Sequence, residues 1–156
     1  MSESYEEIVE GETYLRSPPD ARHEAICGRL HVQVTRSLAS VGSTRLLAAR
    51  SVVQLSAGTM LRPDLALVTS ATGKLWLAAE IVNARDHRVD TVTKKSIYED
   101  LNLPRLWMID PRYDNVEIYH GGPYGLALQG ILANKELLTE SLLPEFQMVI
   151  AELFGG

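Results

Sequence analysis

Apolar and polar positions follow two repeats along the chain, and each repeat predicts a different kind of element. An alternating pattern around Gly11, in EEIVEGETYLR, predicts an N-terminal strand or hairpin. Farther on, apolar residues recur every three or four positions, which predicts a long amphipathic helix with Asp20 as its N-cap and Gly42 as its end. The apolar positions of this helix are Ile26, Leu30, Val34, Leu38 and Val41. The N-terminal part of the chain is therefore expected to join a small β element to a helix.

The middle of the chain is predicted to form mainly strands. RLLAARSVVQL and LALVT have the composition of strands, and GKLWLAAEIV is so continuously apolar that we expect a strand buried on both faces. VDTVTKKSIYEDL then predicts a second helix, because its apolar residues return at roughly helical spacing and Pro104 follows the segment.

The C-terminal part is predicted to contain strands again, with one short helix at its end. The expected strands are RLWMID, NVEIYH and a stretch around LALQGIL, and the helix is expected near IAELF. No internal repeat, low-complexity tract or flexible linker interrupts the sequence. Because strands and helices are interleaved, the expected fold is α/β with a mixed sheet, in a single domain over residues 1–156.

Composition places the chain among soluble proteins of one domain. Its 156 residues are 46% apolar and 22% charged, which is enough to bury one ordinary core. No apolar run approaches the length of a membrane span, and the acidic N-terminus lacks the features of a signal peptide, so we expect a cytoplasmic protein. The single cysteine, Cys27, excludes an internal disulfide and is expected to be a small buried side chain.

Charge is distributed unevenly along a chain whose formal net charge is -5. Residues 1–14 contain five acidic and no basic residues, whereas residues 15–98 contain twelve Lys or Arg and six acidic residues. Residues 99–156 are acidic again, with three basic and nine acidic residues. The basic middle would suit a polyanionic partner, and a scatter of solvated charges would explain it equally well.

Two carboxylates stand at unusual places in the predicted strands. Asp64 opens the strand LALVT, and Glu80 lies near the end of the next strand. If these strands pair antiparallel, both carboxylates lie at one edge of the sheet, where they need a shared proton, a basic side chain or a divalent cation between them. Lys94 lies four residues after Asp90 and four before Tyr98, on one helix face, and can reach back toward that edge.

The order and spacing of these pieces resemble the PD-(D/E)XK nuclease superfamily, and most closely its Uma-type family of "putative restriction endonucleases". The similarity runs from about His23 to the C-terminus, through RHEAICGRL, RPDLALV, LAAEIV, DTVTKKSIYEDLNLP and LWMIDPRYDNVEIY. It implies a restriction-endonuclease-like fold, with a mixed central β-sheet flanked by helices, and a homodimer that cleaves DNA. It also implies that Asp64 and Glu80 bind Mg²⁺ (or Mn²⁺), with the carbonyl of Ile81 as a third ligand, beside a catalytic lysine.

The chain departs from the family pattern near the expected metal. The superfamily's lysine usually follows the acid by two residues, where this sequence has Val82. The resemblance therefore assigns the catalytic lysine to Lys94, with Lys95 as the alternative expected to point about a quarter turn away. Asn83 and Ala84 stand where the family tends to have a serine and a proline, so the geometry of this loop is not set by the resemblance.

The remaining candidates carry less specific signals. His23 matches a histidine common in the family and would contact the substrate phosphate or carry a proton; a surface or capping role fits it equally well. Tyr98 and Trp107 are expected in the core, and Asp90 is expected to orient its neighbours. The other histidines show no metal-ligand spacing and are expected in solvent or in the core.

Three functions are compatible with this pattern. The first is a metal-dependent endonuclease that hydrolyses phosphodiester bonds in DNA. The second is a catalytically silent nuclease-fold domain that binds nucleic acid or a partner protein, and the third is a hydrolase that acts on another phosphate-containing or small substrate at the same edge. The presence of all three of Asp64, Glu80 and Lys94 favours the first function over the second.

Overall fold

The computed structural model of the protein describes residues 3–155, in which three helices are interleaved with strands. The helices are α1 (Ala21–Ser37), α2 (Lys95–Asp100) and α3 (Ile150–Leu153), and a π-helical segment, Val89–Lys94, leads directly into α2. The strands are β1 (Tyr5–Val9), β2 (Glu12–Arg16), β3 (Thr44–Leu46), β4 (Val53–Ser56), β5 (Thr59–Leu61), β6 (Leu65–Thr69), β7 (Leu75–Ile81), β8 (Arg105–Asp110), β9 (Asn115–Gly122), β10 (Gly125–Ala133), β11 (Leu137–Glu140) and β12 (Leu143–Val149).

A six-stranded mixed sheet forms the centre of the fold, with the strand order β10-β9-β8-β7-β6-β3. β7 and β8 run parallel, and the other neighbours in this sheet are antiparallel. The predicted α/β class and the antiparallel pairing of β6 with β7 are confirmed. The register pairs Leu65 with Ala79, and its continuation brings the residue before β6, Asp64, next to Glu80 near the end of β7.

Each face of this sheet is covered by a different layer, so that β7 is buried throughout, as predicted. On one face, α1 packs through Ile26, Leu30 and Val34, together with the β11–β12 hairpin and α3. On the other face lie Tyr98 of α2 and apolar residues of a second, four-stranded sheet with the order β2-β1-β5-β4. The second sheet brings β1 against the face of β7 that carries Glu80.

Local interactions explain the turn of the N-terminal hairpin and the two ends of α1. The predicted hairpin forms, and its turn residues Glu10 and Gly11 both have positive φ, 50° and 82°, as the tight turns that suit twisted strands require. Asp20 caps α1 as predicted, because its carboxylate accepts the backbone N–H of His23 at 2.8 Å. The prediction that this helix continues to Gly42 is wrong. It ends at Ser37, whose hydroxyl donates to the carbonyl of Val34 at 2.7 Å.

The prediction of one strand over RLLAARSVVQL is also wrong. The segment divides into β3 in the central sheet and β4 in the second sheet. The chain turns between them at Arg50, which has a φ of 57° and donates its N–H to the carbonyl of Pro63 at 3.1 Å. The β11–β12 hairpin was not predicted either, although its buried residues Leu138, Phe146 and Met148 alternate with exposed ones as in a half-buried strand pair.

The second predicted helix forms, but its first half is π-helical. Asp90, Lys94 and Tyr98 are all buried, in agreement with their predicted position on one face. Cys27 and Trp107 are buried as expected. No helix within residues 3–155 is long and apolar enough to cross a membrane.

Candidate active site

Asp64 is held at the start of β6 by hydrogen bonds from three directions. The residue is 2% exposed, and Oδ2 accepts the backbone N–H of Ile81 at 2.8 Å. Oδ1 lies 2.9 Å from Nε2 of His23 and accepts from Nη1 of Arg50 at 3.0 Å. Burial would raise the pKa of Asp64, but the hydrogen bond and charge of His23, the charge of Lys94 and the Ile81 N–H hold it below its ordinary value. Asp64 is therefore an anion at neutral pH.

Glu80 shares its carboxylate between a lysine and a tyrosine. Nζ of Lys94 lies 2.8 Å from each carboxylate oxygen, and the hydroxyl of Tyr98 donates to Oε2 at 2.6 Å. Burial raises the pKa of Glu80 to about 8; Lys94 opposes this shift, and the charges of Asp90, Glu7 and Asp64 add to it. Tyr98 is a core residue as expected, but it is also a hydrogen-bond partner of a predicted site residue, which the sequence reasoning missed.

Lys94 is fully buried, and its ammonium has a second carboxylate partner. Oε2 of Glu7 lies 2.7 Å from its Nζ. Burial would lower the pKa of Lys94, but the charges of Glu80 and Glu7 raise it above its ordinary value, so the side chain remains charged. Lys95 points elsewhere, with its Nζ 4.5 Å from the ring centre of Tyr119. The structure thus places Lys94, not Lys95, beside Glu80.

Glu7 is a buried residue of this site that the sequence analysis missed, as is its partner Arg16. It lies on β1 with 1% of its surface exposed, and its Oε2 also accepts the N–H of Arg62 at 2.7 Å. Its other oxygen is bound by Arg16 of β2. A signal was present, because the alternation Tyr5, Glu7, Val9 puts a carboxylate at a position where a half-buried strand normally has an apolar side chain.

Arg16 connects the N-terminal hairpin to the segment that follows Glu80. The guanidinium is buried and donates to Asp86 at 2.8 Å and to Asp90 at 2.9 Å, besides Glu7. The other oxygen of Asp90 accepts the backbone N–H of Asn83 at 3.1 Å. Asp90 therefore has the contacts of a residue that orients its neighbours, and contacts with Arg16 and Asp90 fix the loop after β7.

Two histidines complete the surroundings of Asp64. His23 is 6% exposed, so most of its side chain is buried rather than on the surface. Its ring contacts Asp64, and its backbone N–H donates to the capping carboxylate of Asp20. Burial would lower the pKa of His23, but the hydrogen bond and charge of Asp64 raise it above its ordinary value. Nε2 of His31 lies 2.7 Å from the backbone carbonyl of Asp64, a contact that ligand spacing alone did not indicate.

These residues form one buried ionic cluster in which negative charge is in excess. Its buried acids are Glu7, Asp64, Glu80 and Asp90, and its buried cations are Arg16 and Lys94. Partly buried Arg50 and Asp86 cancel each other, and protonation of His23 removes only part of the excess. Buried charge of one sign is costly unless a cation or a proton balances it, which agrees with the raised pKa of Glu80.

The donor atoms of the cluster have the chemistry that a hard divalent cation prefers. Asp64 and Glu80 offer carboxylate oxygens from neighbouring strands. The N–H of Ile81 points at Asp64, and because N–H and C=O of one strand residue face the same neighbour, the Ile81 carbonyl faces that edge too. Within residues 3–155, no three His, Cys, Asp or Glu side chains converge as a metal site. The donor set therefore fits a cation that takes few protein ligands.

Comparison with known proteins adds a family and a fold to this geometry. The model of the Uma2 family, described as "Putative restriction endonuclease", matches residues 2–151. The chain belongs to the Uma2 family. A similar solved structure is "a putative nuclease belonging to DUF820" from Anabaena variabilis, with a TM-score of 0.78, 15% identity, and coverage of 96% of this chain and 89% of that chain. No curated protein sequence matches the chain.

Membership in the Uma2 family confirms the resemblance that the motifs indicated. At 15% identity the solved structure shows the fold alone, and it confirms that this chain shares the fold of that DUF820 protein. Family and fold together support a nuclease function for the chain.

Proposed function

We propose that this Uma2-family protein is a divalent-metal-dependent endonuclease that hydrolyses phosphodiester bonds in DNA. The observation that carries the proposal is the convergence of Asp64, Glu80 and Lys94 in one buried cluster with an excess of negative charge. A structural core has no need for such a cluster, because isolated buried charges destabilise a fold. A site that holds a cation next to a phosphate requires it.

Asp64, Glu80 and the carbonyl of Ile81 are the residues that would hold the metal, with water completing its coordination. Mg²⁺ or Mn²⁺ bound there would lower the pKa of a water molecule and stabilise the charge that develops on the phosphate. Each carboxylate has about four lone-pair sites, so neither is saturated by the contacts described above.

Lys94 would supply a fixed positive charge to the transition state. Its raised pKa means that it acts as an ammonium and not as a base. The contacts with Glu7 and Glu80 hold Nζ in place before substrate binds, and a charge that is already positioned costs no reorganisation during the reaction.

His23 would be the contact between the cluster and the substrate. Its ring is bound to Asp64, and it also lines an open cleft on the surface. A histidine with one partner fixed can donate to a phosphate oxygen or carry a proton from its other nitrogen.

The experiment that tests this function is a plasmid-nicking assay with Mg²⁺, Mn²⁺ or EDTA, comparing the wild type with Glu80→Ala and with the exposed control Glu12→Ala. We expect metal-dependent nicking by the wild type and the control and no nicking by Glu80→Ala. If the wild type binds DNA but never nicks it with either metal, the chain is the catalytically silent domain described above.

We further propose that the enzyme acts as a homodimer, since cutting both strands of a duplex needs two sites. Light scattering at the concentration of the nicking assay tests this. A dimer is expected, and a monomer that still linearises plasmid in one encounter would contradict it.

A further inference from the structure

A cleft of about 620 Å³ opens beside the buried ionic cluster, at the carboxyl ends of β7 and β8. One wall is the segment that enters α1, residues 18–23, and the opposite wall is the turn after β7, residues 82–85. The start of the β8–β9 turn, residues 111–112, closes the third side. His23 belongs to the cleft and contacts Asp64, so the cleft reaches the predicted metal ligand through one side chain.

The charged side chains of the cleft are three arginines and one aspartate, besides His23. The aspartate, Asp20, is occupied as the cap of α1. Arg22 donates to the carbonyl of Pro111 at 2.8 Å, and Arg112 binds Asp110 through two nitrogens, at 3.0 and 2.9 Å. Arg22 and Arg112 therefore have fixed positions in the walls and give the cleft its shape.

Arg85 differs from the other two arginines because its charge is not engaged. Its side chain is exposed, and its guanidinium has no hydrogen-bond or ion-pair partner among residues 3–155. Its backbone position is nevertheless set, since its N–H donates to Oδ1 of Asn83 at 3.0 Å in a local turn. The turn after β7 therefore displays an unpaired arginine at the rim of the cleft.

A guanidinium with free donors suits a phosphate, because its planar fork can give two hydrogen bonds to one anionic group. Most residues of the cleft belong to the basic middle of an otherwise acidic chain, and Arg112 adds a further positive charge, so a polyanion would meet positive charge there. The volume of the cleft is in the range of small-ligand sites. It can therefore hold a short segment of a nucleic-acid backbone but not a folded protein.

We propose that this cleft binds the phosphodiester backbone of the nucleic acid next to the scissile bond, with Arg85 as the arginine that engages a phosphate. The inference rests on the proposed function, to which it adds the path of the substrate strand. Phosphate contacts of this kind position a nucleic acid and carry no sequence information.

The test is a fluorescence-anisotropy titration of labelled DNA and RNA oligonucleotides in EDTA, at several salt concentrations. It compares the wild type with Arg85→Gln, Arg85→Lys and the matched control Arg45→Gln. Arg45 is also exposed and without a partner among residues 3–155, but it lies on β3, opposite Val68 and away from the Asp64 end of β6. Since Arg85 is exposed, these variants are expected to fold, and circular dichroism and Tm check this.

We expect Arg85→Gln to weaken binding several-fold and to reduce the slope of log K against log salt by about 0.9 for duplex DNA or 0.7 for a single strand. Arg85→Lys should recover part of the affinity, and Arg45→Gln should match the wild type. Equal affinity and slope for Arg85→Gln and the wild type would overturn the proposal, as would an equal loss in Arg45→Gln. The DNA and RNA titrations show which backbone the cleft prefers.

Failure of this inference is distinguishable from failure of the proposed function. If binding depends on Arg85 but no metal-dependent nicking occurs, the proposal that the cleft binds a nucleic-acid backbone is supported and the proposed nuclease function is contradicted. If metal-dependent nicking occurs but binding does not depend on Arg85, the proposed role of the cleft is contradicted and the proposed nuclease function is supported.

Discussion

The ammonium of Lys94 lies 2.7 Å from the carboxylate of Glu7, so the N-terminal hairpin contributes directly to the candidate site. Because the same nitrogen contacts Glu80, the lysine joins β1 to β7 through two buried ion pairs. Within the second sheet the hairpin pairs with β5 through β1, and Glu7 and Arg16 connect it to the cluster. Its removal would therefore change the position of Lys94 as well as the covering of the sheet.

Replacement of Glu7 tests this connection. Glu7→Ala removes one of the two buried carboxylates that contact Lys94 and one of the carboxylates that contact Arg16, and it leaves the N–H of Arg62 without its acceptor. We therefore expect a loss of about 1–3 kcal/mol in the free energy of unfolding. Urea unfolding followed by circular dichroism measures it. The control is Glu6→Ala, which removes the exposed neighbour on the same strand and should stay close to the wild type. Equal stability of the two variants would show that Glu7 is not held in the cluster.

The two adjacent lysines provide a matched pair for the proposed chemistry. Lys94→Met keeps the length of the side chain and removes the buried charge, so we expect plasmid nicking to slow by about 10²–10³-fold. Lys95→Met removes a lysine that faces Tyr119, and it should nick at nearly the rate of the wild type. Tm establishes that both variants are folded, and calorimetry should find metal binding in both. An active Lys94→Met together with an inactive Lys95→Met would reassign the role to Lys95.

The stability of the metal-free protein should fall as the pH rises. The folded-state pKa of Glu80 is raised from its ordinary value of 4.5 to about 8, so the folded state binds a proton more tightly than the unfolded state. That contribution is fully present below about pH 4.5 and is lost as the pH approaches 8. The raised pKa of His23 acts in the same direction, whereas Asp64, with its lowered pKa, loses its contribution only as the solution becomes acidic.

Urea unfolding in EDTA between pH 5 and pH 9 measures this dependence. We expect a decrease of the free energy of unfolding toward pH 9, and a flatter profile for Glu80→Gln, which cannot release the proton. Added Mg²⁺ should stabilise the wild type more at pH 8 than at pH 6, because the metal competes with the proton for Glu80. A free energy of unfolding that rises over this range would contradict the charge balance described for the cluster.

Much of the site could be predicted because its signals are local in the sequence. A carboxylate in a continuously apolar strand, as at Glu80, is conspicuous, and the four-residue spacing of Asp90, Lys94 and Tyr98 fixes a common helix face. The antiparallel pairing of β6 and β7 follows from the short connection between them. The residues that interact through these elements could therefore be named before their distances were known.

The missed features depend on contacts between distant parts of the chain. Glu7 meets Lys94 only because β1 belongs to a second sheet, and no local pattern specifies that β1 pairs with β5. The division of RLLAARSVVQL at Arg50 likewise depends on the separate sheets that receive β3 and β4. Tertiary pairing outweighs strand propensity at such places.

The central claim is that Asp64 and Glu80 hold one divalent cation, and titration calorimetry with Mg²⁺ and Mn²⁺ tests it most directly. The proteins to compare are the wild type, Asp64→Asn, Glu80→Gln and the exposed control Glu12→Gln. We predict binding of equal affinity by the wild type and the control, and loss of binding in each of the two site variants. Unchanged affinity in both Asp64→Asn and Glu80→Gln would contradict the account.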